Sequence, residues 1–126
     1  MAMIELRKEV EAAAMAELSR ANKAFPLFSS HHEGYAVILE ELEEAQEAMD
    51  TLKSSMGVLW DRVRGKEIAC FLEKETSPVA MYNQAIDAAC EMIQTAAMLL
   101  KYETSQAAAD NPADNGGIRA EPGEVV

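Results

Sequence analysis

His31-His32-Glu33-Gly34-Tyr35-Ala36-Val37-Ile38-Leu39-Glu40-Glu41-Leu42-Glu43-Glu44-Ala45 is the stretch whose reading decides the fold. At about 100° per residue, Tyr35, Ile38, Ala45 and Met49 fall on the side of Leu42, and Leu52, Met56 and Leu59 continue the seam. Such a stripe predicts a long amphipathic helix packed along one face. The acidic residues are unevenly placed around it. Glu40, Glu43 and Glu47 point away from the stripe, Glu41 borders it, and Glu44 follows one turn on. Side chains three and four apart on a helix are neighbours, so Glu41 with Glu44, and Glu40 with Glu44, are spaced to share one ion. The plainer reading of the same run is a solvated acidic face.

Outward from this stretch, the totals favour helices. The chain has 126 residues, enough for one domain with a core. Hydrophobic residues are 49% and aromatic residues 6%, with Ala and Met abundant, and these side chains lose little entropy in a helix. The formal net charge of −11 repels nucleic-acid backbone and anionic lipid, which argues against a nucleic-acid or membrane-surface partner. A nucleotide remains possible if a divalent cation stands between carboxylates and phosphates. Met1 to Val10 is charged and lacks an apolar leader segment, and no run is long enough to span a membrane. Cys70 and Cys90 lack metal-type spacing, so they are expected to be small buried hydrophobes, reduced in a cytosolic protein.

Four helices are expected. The first spans Ile4 to about Lys23 and has an Ala-rich face. Pro26 breaks it. Phe25, Leu27 and Phe28 read as a hydrophobic plug, and Ser30 with Glu33 has the spacing of a capping box. The second helix starts at His31 and reaches at least Leu52, extending to Val63 if Gly57 only kinks it, with Gly65 as its stop. Arg62, Arg64 and Lys66 then complement a helix C-terminus or contact phosphate. A short helix covers Glu67 to Glu75. Ser77-Pro78 starts the last helix, which is read to about Glu103. Its main stripe is Tyr82, Ile86, Ala89, Cys90, Ile93, Ala96, Ala97 and Leu100, widened by Met81, Ala85, Ala88, Met92 and Leu99. A helix this apolar is central or shared with another subunit, so a homo-oligomer, a dimer or tetramer, is expected. The fold class is therefore all-α: an antiparallel bundle of three long helices and one short helix over residues 1–103, completed by oligomerisation. Residues 104–126 read as a disordered acidic tail.

Two acidic motifs on two helices resemble those of the MazG-like, all-α nucleoside triphosphate pyrophosphohydrolases, in particular the small members found in phages and prophages. That family carries E-E-x-x-E on one helix, present here as Glu40-Glu41-Leu42-Glu43-Glu44. It carries E-x-x-D on a later helix, present only in part as Glu91-Met92-Ile93-Gln94. The lead-in from Phe25 through Glu33 is also similar, and the resemblance covers roughly Lys23 to Lys101. The chain departs from the pattern in Gln94, which replaces a charged ligand by a neutral one, and in a longer segment between the motifs. The resemblance implies hydrolysis between the α and β phosphates with Mg²⁺ as cofactor. It implies Glu41, Glu44 and Glu91 as ligands, with Asp87 or Gln94 completing the shell, and Glu40 or Glu41 as the base that activates water. Lys23, Arg62, Arg64 and Lys101 are the candidate phosphate contacts. His31 and His32 read as surface residues or as further metal ligands. Two other readings stand beside the enzyme: a helical module that binds and sequesters a nucleotide without turnover, and a structural helical interaction protein with solvated acids.

Overall fold

The structure is a computed structural model that describes residues 2–110, without the side chains of Cys70, Phe71, Leu72, Ala107, Ala109 and Asp110. All regular elements among the described residues are α-helices: α1 (Ala2–Ala24), α2 (His31–Val63), α3 (Cys70–Glu75) and α4 (Pro78–Asp110). Three long helices and one short helix match the sequence reading, except that α3 starts at Cys70 and not at the expected Glu67. α2 runs unbroken through Gly57. α4 does not end near Glu103 but continues to Asp110, because Ser105 and Gln106 find partners and the Ala-rich run that follows favours helix. The rest of the expected tail, 111–126, and the expected burial of Cys70 lie outside the described residues.

Sequence-local chemistry sets the helix ends. Ser30 caps α2: its hydroxyl oxygen accepts the Glu33 N–H at 3.1 Å, and its carbonyl accepts the Gly34 N–H at 3.1 Å. The reciprocal arm of the expected capping box goes elsewhere. Glu33 Oε1 accepts from the Ser29 N–H at 2.6 Å and the Ser29 hydroxyl at 3.0 Å, one residue before the cap. Those two donors favour the charged form and hold the Glu33 carboxyl below its ordinary value of 4.5. The sign follows. Glu33 contributes its stability in full above the unfolded-state value and loses it as pH falls through the lower folded value. Urea titrations of wild type and Glu33→Gln are therefore expected to differ at neutral pH and to converge in acid.

α2 ends as the sequence indicates. Gly65 has φ of 81°, the Gly65 N–H bonds the Arg62 carbonyl at 3.0 Å, and the Lys66 N–H bonds the Asp61 carbonyl at 2.9 Å. This is the paired closure of a Schellman cap, which needs a left-handed residue after the last turn. Gly65→Ala should cost about 1–2 kcal/mol, since a Cβ penalises that conformation. The urea unfolding midpoint measures it. Ser77 and Pro78 start α4 as expected, with the Ala80 N–H on the Ser77 hydroxyl at 3.2 Å.

The chain divides into two compact units, Met1–Glu41 with Ile93–Val126, and Leu42–Met92. The first is built around Leu18, Ala97 and Met98, against which Ala21, Phe28, Val37 and Ile38 pack. The Phe28 N–H donates to the Ser105 hydroxyl at 2.9 Å, and Lys101, though buried, sets its ammonium 4.7 Å from the Phe28 ring centre. Of the expected plug, Phe28 packs into this core, whereas Phe25 and Leu27 are exposed. The second unit buries Ala45, Met81 and Ala88. Arg62 straps its base, donating to the Thr76 carbonyl and hydroxyl at 3.2 Å each.

The apolar stripes are only partly inward. On α2, Ala45 is buried and Ile38, Leu52 and Leu59 are half-buried, but Tyr35, Leu42, Met49 and Met56 are exposed. On α4 the phase differs from expectation. Of the expected main stripe Ala97 is buried and Ile93 half-buried, but Tyr82, Ile86, Ala89, Cys90, Ala96 and Leu100 are exposed, while Met81 and Ala88 from its margin, and Met98, are buried. A helix apolar over most of its circumference does not reveal by pattern alone which side its neighbours cover.

Candidate functional site

The clearest acidic site lies within Leu42–Met92. Glu44, Glu47, Ala48 and Thr51 of α2 face Asp87, Cys90 and Glu91 of α4 across an open groove of about 430 Å³. Helix periodicity explains the set. Glu44, Glu47 and Thr51 are spaced three and four apart, and Cys90 and Glu91 lie three and four residues after Asp87, so each trio shares one side of its helix. Three of the expected metal ligands, Glu44, Asp87 and Glu91, therefore line one groove, although among the described residues the only acidic group with ligand atoms within 4.8 Å of one another is Glu40, Glu41 and Glu44. Glu91 is half-buried and Glu44 and Asp87 are exposed.

Glu47 is a correction. Its position away from the Leu42 stripe suggested open solvent, yet it lines the same groove, because the groove opens on that side of α2. Cys90 is a second correction: its thiol is free and exposed on the groove wall and is no part of a core.

One turn of α2 carries its own cluster. Glu40, Glu41 and Glu44 each bring a carboxylate oxygen within 4.8 Å of the others, with Glu41 half-buried and the other two exposed. The i, i+1, i+4 spacing makes this inevitable on a helix, so it is a consequence of the motif and no independent sign of an ion. Gln94 is half-buried on the part of α4 that belongs to the first unit.

The candidate phosphate contacts have protein surroundings of their own. Arg62 is committed to Thr76. Arg64 pairs with Asp61 at 2.6 Å and lies 5.4 Å over the Trp60 ring, and Lys66 is 4.0 Å from Asp61. Arg62 and Lys66 also share a shallow groove with Glu67 and Glu73, which offset their charge. Lys23 and Lys101 belong to the first unit: Lys23 is exposed in the last turn of α1, and Lys101 is the buried cation beside Phe28.

His31 and His32 sit with Tyr35 and Tyr102 around a smaller cavity of about 220 Å³ in the first unit. The Tyr102 hydroxyl and the Gln106 amide both engage His31 Nδ1, which makes this imidazole part of a side-chain network. Sequence reasoning missed the Tyr102 and Gln106 partners, seventy residues away, because nothing in the local pattern points to them.

Comparison with known proteins gives no match. No family model fits the chain, and no curated protein and no solved structure is recognisably similar to it. The functional reading therefore rests on the acidic groove and the motifs that build it. No helix among the described residues is long and apolar enough to cross a membrane.

Proposed function

We propose that this chain is a cytosolic, Mg²⁺-dependent pyrophosphohydrolase that cleaves a nucleoside triphosphate to the monophosphate and pyrophosphate. The observation that carries the reading is that Glu44, Asp87 and Glu91, from two helices far apart in sequence, line one groove. The donor set suits the ion. Carboxylates and the Thr51 hydroxyl are hard oxygen ligands of the kind Mg²⁺ takes, usually a few at a time with substrate phosphates completing the shell. The Cys90 sulfur on the same wall is a soft ligand that Mg²⁺ does not use.

Bound Mg²⁺ would offset the charge of the phosphates and of the departing pyrophosphate. The chain's own residues do the rest. Glu44, Asp87 and Glu91 would hold the ion. Glu47, a further carboxylate of the groove, would orient a water and accept its proton as the water oxygen bonds to phosphorus. The phosphoanhydride bond breaks and its electron pair leaves on pyrophosphate. No protein nucleophile is required.

Gln94 favours a second reading, a nucleotide-binding module without turnover, because it leaves the later motif one charge short. One experiment tests both: incubation with a panel of nucleoside triphosphates and Mg²⁺, reading pyrophosphate release and nucleotide binding together. Release identifies the hydrolase. Saturable binding without release identifies the sequestering module. The absence of both leaves the acids as a solvated face and overturns the proposal.

A further inference from the structure

We draw no further inference here: the strongest candidate, the cavity of about 220 Å³ that His31, His32, Tyr35 and Tyr102 line in the first unit, carries nothing, because His31 Nδ1 is already engaged by Tyr102 and Gln106 and nothing in the structure shows what covers the aromatic walls.

Discussion

Glu44→Gln, Asp87→Asn and Glu91→Gln are each expected to lower pyrophosphate release at least ~100-fold while leaving the fold intact. Residues that merely orient metal ligands already cost 10–100-fold when changed, so a direct ligand belongs at or beyond the upper end. Glu44 and Asp87 are exposed and Glu91 is half-buried, so none of the three amides opens a cavity in a core. Each amide removes a unit of negative charge from the groove and should reduce the thermal upshift that Mg²⁺ produces. Glu43 is the proper control. It is exposed on α2 and does not line the groove, so Glu43→Gln should match wild type in both assays. Glu47, which does line it, should show a measurable loss. If Glu44→Gln and Glu43→Gln behave alike, the groove holds no ion that matters and the hydrolase reading fails.

The choice of control shows where sequence reasoning reaches its limit. A helical wheel orders residues around one helix axis but contains no information on the neighbour. Glu47 was placed correctly relative to Leu42, yet its surroundings depend on α4, which brings Asp87, Cys90 and Glu91 to that side. The same limit explains α4 itself. Its composition leaves little contrast between faces, so the pattern showed an apolar helix without its phase, and the core took Met81 and Ala88 where Tyr82 and Ile86 were expected.

Helix ends were more legible because their causes are local. Ser30, Gly65 and Ser77-Pro78 act on backbone groups within a few residues, and each does what its chemistry requires. The exception is the C-terminal end of α4. There Ser105 and Gln106 are engaged by Phe28 and His31, so the reason for the helix to continue lies more than seventy residues upstream. Within the candidate site, Glu44 and Glu91 came from the two motifs and Asp87 from its place one turn before Glu91, whereas Glu47, Cys90 and Thr51 came only with the facing helix.

The same substitution at two glycines of α2 is expected to act with opposite sign. Gly57 is exposed in the helix interior, and a Cβ built there meets nothing within 4 Å. Gly57→Ala should therefore stabilise the chain by about 0.5–1 kcal/mol, the cost of glycine relative to alanine in a helix. Gly34 has the same helical backbone and the same propensity to gain. Its Cβ, however, would lie 2.5 Å from Tyr102 Cδ1, 2.9 Å from Cε1 and 3.1 Å from Phe28 Cδ2. Neither ring yields easily. The Tyr102 hydroxyl engages His31, and Phe28 packs in the core around Leu18 with the Lys101 ammonium over its face. Overpacking of this kind costs about 1–3 kcal/mol, which exceeds the propensity gain. Gly34→Ala should therefore lower stability. Urea unfolding of both variants gives the signs, and a third variant isolates the cause. In a Tyr102→Leu background the ring is absent and a shorter, more flexible side chain stands there, so adding Gly34→Ala should become neutral or stabilising. If Gly34→Ala lowers stability equally in both backgrounds, close approach of the Tyr102 ring is not the reason for glycine at this position.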